Sequence, residues 1–292
     1  MNNIAVIGSG TMGAGIAQVF AQSGFHVVVV DVNTKALDLA QQTIQKSLKI
    51  QLDKQLISLQ EHHLTINNLS FSKDLNVVNK ETDLVIEAIT ERIAVKQSLF
   101  QQLALLTSDK TILASNTSSI PIFKLASATS KPQQVIGMHF MNPVPRMPLV
   151  EVIQTKITKP KLVQEVVNLI KRLAKIPVVV NDFPGFVSNR ILMPMINEAI
   201  ECLADGVASV DGIDQVMKLG MAHPMGPLQV ADLIGLDVCQ HILEVLYFEL
   251  QKEKYKPHPL LIQLVNNNQL GIKTSQGFYN YQDPKNPKPL LF

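Results

Sequence analysis

The sequence is poor in cysteine, in net charge and in long apolar runs. Its two cysteines, Cys202 and Cys239, are too few for a disulfide framework and fit a reducing compartment. The formal net charge of +2 is too balanced to indicate a nucleic acid or a membrane surface as a partner. No run of about 18 apolar residues is present, so a membrane-spanning helix is not expected.

Two further signals are missing. The first residues begin a strand-like run almost at once, without the basic region, apolar core and small-residue cleavage site of a signal peptide, so we expect a cytoplasmic protein. The pair His62–His63 does not stand in the set of spaced ligands that a metal site needs, and no metal is expected. What the 292-residue chain does have is 46% hydrophobic residues, enough for one large domain or two ordinary ones.

The first half alternates β-branched runs with helical stretches. This pattern is typical of a Rossmann-type α/β fold, in which helices cover both faces of a doubly wound, mostly parallel sheet. The predicted strands are residues 4–7, 26–30, 84–88, 111–114, 135–139, 149–153 and 177–180. After the second strand, a polar stretch with apolar residues every three or four positions predicts a helical insertion at about 34–62, with Asn33 or Thr34 as its N-cap.

The segment 181–185, Asn-Asp-Phe-Pro-Gly, interrupts the chain. Beyond it the strand-like runs stop and the pattern is helical, which predicts an all-helical C-terminal domain. The predicted helical segments are 186–205, 210–220, 228–253 and 259–267. We therefore expect a dinucleotide-binding domain at 1–184 and a helical domain at 185–292, of which residues 283–292 form a tail.

A glycine-rich turn directly follows the first strand and opens a helix. Its residues are Gly8, Ser9, Gly10, Thr11, Met12 and Gly13. Glycines at these positions permit a tight turn and let a pyrophosphate approach the backbone at the helix N-terminus. Asp31 ends the second strand 18 residues beyond Gly13, where an acid accepts hydrogen bonds from the adenosine ribose. The sequence thus predicts a nicotinamide dinucleotide; Asp31 favours NAD, and the nearby Lys35 leaves NADP as the alternative.

Four polar residues follow or interrupt later strands, or open a helix, and could carry chemistry: Ser118, His139, Glu151 and Asn189. An imidazole can take up a hydroxyl proton near neutral pH during hydride transfer, and a carboxylate can orient it. Serine and asparagine can hydrogen-bond the substrate oxygen. Each residue also has a plainer interpretation, as a structural histidine, a solvent-facing strand glutamate or a helix cap.

Several motifs in order resemble one family. They are the glycine-rich turn, Val-Ile-Glu-Ala-Ile-Thr-Glu at 85–91, Ser-Asn-Thr-Ser-Ser at 115–119, His-Phe-Met-Asn-Pro-Val-Pro at 139–145, Leu-Val-Glu-Val at 149–152, Asp-Phe-Pro-Gly-Phe-Val-Ser-Asn-Arg at 182–190, Pro-Met-Gly-Pro at 224–227 and Lys-Thr-Ser-Gln-Gly-Phe-Tyr at 273–279. Over nearly its whole length the sequence resembles the 3-hydroxyacyl-CoA dehydrogenases, in particular the short bacterial 3-hydroxybutyryl-CoA dehydrogenase type.

The resemblance implies roles for individual residues. His139 matches the catalytic base and Glu151 its partner, while Ser118 and Asn189 match residues that contact the substrate; Ser118 also lies near the nicotinamide. Positions that match cofactor contacts are Glu91, Lys96, Asn142 and Lys273, and positions that match contacts to the CoA moiety are Ser47 and Lys54 on the insertion. The family further implies an acyl-CoA substrate with S stereochemistry, and a homodimer formed by the helical domains.

Three departures and two alternatives remain. Met141, Ile272 and Ser275 differ from the residues common at their positions in the family, which leaves the cofactor contacts near the C-terminal motif in doubt. A dehydrogenase of a free hydroxyacid, such as a sugar acid, would share the dinucleotide domain but would not need Ser47 and Lys54. A non-catalytic NAD-binding protein would not need the histidine and glutamate.

Overall fold

The computed structural model describes residues 1–291. The chain forms two compact units, Met1–Phe183 and Pro184–Phe292, called here the first and the second unit. Among the described residues, none of the helices has both the length and the apolar character needed to cross a bilayer. Nor do these residues gather three or more histidine, cysteine or acidic side chains where a metal could bind.

The first unit is built on an eight-stranded sheet, in the order β3-β2-β1-β4-β5-β6-β7-β8. The strands are β1 (Asn3–Ile7), β2 (His26–Val30), β3 (Leu69–Ser72), β4 (Leu84–Glu87), β5 (Ile112–Ser115), β6 (Val135–Phe140), β7 (Leu149–Gln154) and β8 (Ile176–Asn181). The first six strands are parallel, β7 is antiparallel to β6, and β8 is parallel to β7. The prediction of a Rossmann-type, mostly parallel sheet is confirmed.

Strand β3 was not predicted from the sequence. It pairs with β2 in parallel, Leu69 opposite Val27, and forms one edge of the sheet. Its four residues, Leu-Ser-Phe-Ser, include no β-branched side chain and are only partly buried. An edge strand has one neighbour instead of two, so its sequence carries a weaker apolar signal than a central strand.

Six helices cover the sheet: α1 (Thr11–Gln22), α2 (Thr34–Asp53), α3 (Leu59–Asn67), α4 (Ile93–Leu106), α5 (Ile122–Ala126) and α6 (Pro160–Arg172). The insertion consists of α2 and α3. Asn33 caps α2, as predicted, and accepts a hydrogen bond from the Ala36 backbone N–H. The apolar residues that recur every three or four positions in α2 are Leu37, Ala40, Ile44 and Leu48, and all four are buried. A separate capping box, formed by Ser58 and Glu61, begins α3.

The second unit contains five helices: α7 (Ser188–Ala204), α8 (Val210–Gln215), α9 (Pro227–Ile234), α10 (Leu236–Leu250) and α11 (Pro259–Asn266). A π-helical turn, Val216–Gly220, follows α8. The prediction of one continuous helix over residues 228–253 is wrong. Gly235 has a φ of 104°, a conformation that no helix contains, and it separates α9 from α10.

The predicted absence of strands after residue 185 is also wrong. Strand β9 (Tyr279–Asn280) pairs antiparallel with β10 (Lys288–Pro289), so the predicted tail folds back on the unit. Two-residue strands are shorter than any apolar pattern can indicate. The remainder of the second unit is helical, as expected.

Candidate active site

The turn between β1 and α1 forms an open cradle. A Cβ on Gly8 would lie 2.5 Å from the carbonyl oxygen of Ala88, and one on Gly13 would collide with the carbonyl oxygen of Gly8. Beside Gly10, in contrast, no atom lies within 4 Å of where a Cβ would be. Gly10 is the N-cap of α1 and has no side chain to occupy the first N–H groups of that helix. The turn is therefore closed on the sheet side and open at Gly10, which fits a pyrophosphate group.

Asp31 lies at the rim of the same cradle. Its carboxylate accepts hydrogen bonds from the Ser9 backbone N–H and hydroxyl, both at 2.8 Å, and from the Asn33 backbone N–H at 2.9 Å. Partial burial alone would raise the pKa of Asp31, but these bonds hold it below the ordinary value. Gly8, Gly10 and Asp31 line a cavity of about 830 Å³ beside α4. The cavity has the glycine cradle at one end and a carboxylate at its rim, which fits an adenosine nucleotide.

His139 and Glu151 face each other across two antiparallel strands. The register of β6 and β7 places them directly opposite. The imidazole Nδ1 lies 2.8 Å from Glu151 Oε2, and the two residues are 8% and 2% exposed. At such burial the carboxylate fixes the orientation of the ring and stabilises it once it is protonated. The pair can therefore take up a proton from a group bound in front of the ring.

Glu91 holds the loop that carries Ser118. One carboxylate oxygen, Oε1, accepts hydrogen bonds from the Ser118 and Ser119 backbone N–H groups at 3.1 and 3.2 Å, from the Ser119 hydroxyl at 2.9 Å and from the Thr117 hydroxyl. Burial by itself raises the pKa of Glu91; Lys96 and these hydroxyl groups more than offset it and hold the pKa below its ordinary value. Glu91 thus remains ionised and fixes the backbone on both sides of Ser118.

Lys96 lies beneath this loop and is 1% exposed. Its Nζ lies 2.5 Å from Glu87 and 3.1 Å from Glu91, which places one ammonium between two carboxylates. Glu87 also accepts a hydrogen bond of 2.7 Å from the Ser115 hydroxyl, at the end of β5. In this structure Lys96 holds Glu91, and with it the loop of Ser118, through an ion pair. A direct contact of Lys96 or Glu91 with the cofactor remains a prediction.

A second cavity, of about 630 Å³, lies between α2 and the loop that joins β6 to β7, and is called here the insertion groove. It brings together Ser47 and Lys54 from the insertion with Asn142 from the loop. Thr11 of the glycine-rich turn lines it too. Residues predicted to contact CoA and residues predicted to contact the cofactor therefore border one groove.

Asn189 and Lys273 belong to the second unit. Asn189 lies in the first turn of α7 and is 8% exposed; its backbone N–H bonds to the Gly185 carbonyl. Lys273 forms an ion pair with Asp237, near the start of α10. Their roles toward substrate and cofactor remain predictions.

Sequence reasoning missed several residues that build the site. Glu87 supports Lys96, and the Asn116 side chain accepts a hydrogen bond of 2.9 Å from the backbone N–H of Phe140, next to His139. Arg146 adds a positive charge to the insertion groove. Glu87 could have been found as a charged residue that interrupts an apolar strand, the same signal that singled out Glu151; Asn116 and Arg146 carry no such local signal.

Known proteins resemble the chain over nearly its full length. The family models described as "3-hydroxyacyl-CoA dehydrogenase, NAD binding domain" and "3-hydroxyacyl-CoA dehydrogenase, C-terminal domain" match residues 3–183 and 185–281. A probable 3-hydroxybutyryl-CoA dehydrogenase of Bacillus subtilis is 49% identical over 97% of this chain and 98% of its own, and one of Deinococcus radiodurans is 52% identical over 94% and 99%.

Among solved structures, that of (S)-3-hydroxybutyryl-CoA dehydrogenase from Ralstonia eutropha has a TM-score of 0.90 and 42% identity, and the match covers 95% of this chain and 98% of that one. Both family models, the relatives and this fold agree with the resemblance noted from the motifs. The chain belongs to the 3-hydroxyacyl-CoA dehydrogenase family.

Proposed function

We propose that this protein interconverts (S)-3-hydroxyacyl-CoA and 3-oxoacyl-CoA with NAD, and that 3-hydroxybutyryl-CoA or another short-chain thioester is its substrate. The observation that carries the proposal is the buried pair of His139 and Glu151, with 2.8 Å between imidazole and carboxylate. The relatives named above act on 3-hydroxybutyryl-CoA according to their names, which supports the same substrate class.

His139 and Glu151 together accept the hydroxyl proton of the substrate. His139 takes the hydroxyl proton of the substrate at Nε2, while Glu151 holds Nδ1 and stabilises the imidazolium that forms. Ser118, held by Glu91 on its loop, donates a hydrogen bond to the reacting oxygen as it changes from hydroxyl to carbonyl. Asn189 is the further residue proposed to contact the substrate. The bound nicotinamide supplies the hydride acceptor, and the chain supplies orientation and the base.

The glycine cradle and the 830 Å³ cavity would hold the cofactor. The open side of Gly10 and the helix N-terminus would receive the pyrophosphate, and Asp31 would receive the ribose hydroxyls. Because the pKa of Asp31 is held low, its carboxylate is charged near neutral pH and repels a 2′-phosphate. We therefore propose NAD over NADP. Glu91, Lys96, Asn142 and Lys273 complete the proposed cofactor contacts.

The CoA moiety occupies the insertion groove. Ser47 and Lys54 line one wall, and Lys46 and Arg146 add positive charge. Phosphate groups are recognised by such cations. A free hydroxyacid carries no group that would reach them, which favours the thioester over a sugar acid.

Steady-state assays test the proposal. NADH oxidation is followed with acetoacetyl-CoA, free acetoacetate and oxidised sugar acids, and in parallel with NADPH. Turnover of the thioester with a clear preference for NADH is expected. His139→Gln should lower kcat by about 10²- to 10⁴-fold while NADH still binds. The matched control is His63→Gln, which changes an exposed histidine of α3. Faster turnover of a free acid, or His139→Gln within tenfold of the parent, contradicts the proposal.

We also propose that the second unit forms a homodimer and that the protein is cytoplasmic. The unit exposes large apolar side chains that a monomer would leave in water: Val207, Val216, Leu219, Met221 and Phe248 are 61–82% exposed. Sedimentation of the full chain should give twice the mass of 32.2 kDa, and a monomer at micromolar concentration would refute the dimer.

A further inference from the structure

A buried lysine holds the loop that joins β6 to β7. Lys175 directly precedes β8 and is 8% exposed. Its ammonium group donates hydrogen bonds to the carbonyl oxygens of Val144 and Met147, at 2.6 and 2.7 Å. Burial of a charge costs free energy, and here it lowers the pKa of Lys175. An apolar residue would fill this space without the cost of burying a charge. We therefore expect the lysine to fix the conformation of the backbone segment that it contacts.

The loop held in this way is one wall of the insertion groove. Val144, Pro145 and Arg146 line the groove opposite Ser47 and Lys54. The two carbonyls bound by the lysine lie on either side of Pro145 and Arg146. The ammonium thus anchors both ends of the short segment that faces the ligand.

The same segment also packs closely against α1. A Cβ on Gly15 would lie 2.8 Å from the Cβ of Val144, so the helix and the loop touch where a glycine allows it. The segment is held between a helix surface and a lysine. Backbone hydrogen bonds from Arg146 and Met147 to the Pro143 carbonyl shape the turn itself, while the lysine ties both ends of the segment to the start of β8.

We propose that Lys175 is a positioning residue for CoA binding: it fixes the Val144–Met147 segment so that Arg146 faces the phosphate groups of CoA across from Lys54. This inference rests on the proposed function. Lys175 does not take part in the proton transfer, since the sheet holds His139 and Glu151 opposite each other through strand pairing. Its loss should therefore weaken thioester binding and leave the chemical step nearly intact.

The test compares two substrates in one set of variants. KM and kcat are measured with NADH for acetoacetyl-CoA and for acetoacetyl-pantetheine, which has the same reacting group but lacks the nucleotide. Lys175→Met, which removes the donors at similar length, should raise KM for acetoacetyl-CoA about tenfold, change kcat less than about threefold and leave KM for the pantetheine thioester within about twofold. Lys175→Arg keeps a charged donor and should recover most of the loss.

Controls separate this role from general damage. Lys171→Met changes an exposed lysine of α6 four residues earlier and should match the parent. An equal rise of KM for both thioesters, a parallel loss of NADH affinity, or an unchanged KM for acetoacetyl-CoA overturns the proposal. If Lys175→Met does not fold, Lys175→Gln is measured against the same criteria. A parent protein without activity on acetoacetyl-CoA refutes the proposed function instead.

Discussion

The most direct test of the site is Glu151→Gln, because it removes one charge and almost no volume. Opposite unit charges 2.8 Å apart attract by about 6 kcal/mol at an effective dielectric constant of about 20, and Glu151 offers this attraction only when His139 is protonated. An amide can also favour the wrong tautomer of the ring. Together these effects should lower kcat by about 10³- to 10⁴-fold, which corresponds to about 4 to 5.5 kcal/mol in the barrier.

The assay is the oxidation of (S)-3-hydroxybutyryl-CoA by NAD, with NADH affinity and thermal unfolding measured on the same preparation. Both of the latter should stay close to the parent, since the cradle and the sheet are unaffected. Glu165→Gln is the matched control, because Glu165 is a half-exposed glutamate of α6 whose nearest cation, Lys161, lies 3.9 Å away. If Glu151→Gln retains more than one tenth of the parent kcat, then the carboxylate does not support the base, and the proposed mechanism fails.

Two further predictions concern the cradle and the second unit. Gly13→Ala should unfold at a markedly lower temperature than the parent, because the new Cβ meets the rigid carbonyl of Gly8. Gly10→Ala should keep the parent's stability and lose NADH affinity. Equal melting temperatures of the two variants, or an unchanged NADH affinity of Gly10→Ala, would contradict this. Burial raises the pKa of Asp232 to about 6, despite hydrogen bonds from Phe278, Tyr279 and Tyr281. The folded state then binds this proton more tightly than the unfolded one, so the unfolding free energy should fall by up to about 3 kcal/mol as pH rises from about 4 to about 6.5. Parallel stability curves for the parent and Asp232→Asn would show that Asp232 does not titrate there.

The sequence predicted those parts of the fold that local patterns determine. Seven of the eight strands in the large sheet lie at or within one residue of their predicted ends, because their sequences are runs of mainly apolar residues. Six of the seven are largely buried, whereas β8, at the edge of the sheet, is mostly exposed. Strand β3 was missed since it is short and at an edge. The break at Gly235 was missed because a single glycine inside an apolar periodic stretch is compatible with a helix until its backbone conformation is known.

In the candidate site, too, the residues with a local sequence pattern could be predicted, and those set by tertiary contacts could not. The glycine-rich turn, Asp31 and His139 could be identified because each has a local motif or a strand end. The direct opposition of His139 and Glu151 could not, since it depends on the reversal of β7, and the strand patterns do not give direction. Lys96 between Glu87 and Glu91, and Lys175 beneath its loop, are set by tertiary contacts between segments distant in sequence. Isolated charged residues in a helix or before a strand usually face solvent. Their structural role is therefore recognised only when the structure shows that they are buried.

The reversal of β7 explains how the proposed proton transfer and the proposed CoA binding can be separated within a short stretch of chain. A parallel connection needs a dozen or more residues and usually a helix, whereas an antiparallel one can be short. Here eight residues, 141–148, join β6 to β7, and they bring an acid opposite the imidazole by backbone pairing alone. The connecting residues line a groove, and Lys175 bonds to two of their carbonyl groups. Since the proposed base and the proposed CoA-binding wall are fixed by different interactions, substitutions in the loop should act on thioester affinity, and substitutions in the strands on the rate of the chemical step.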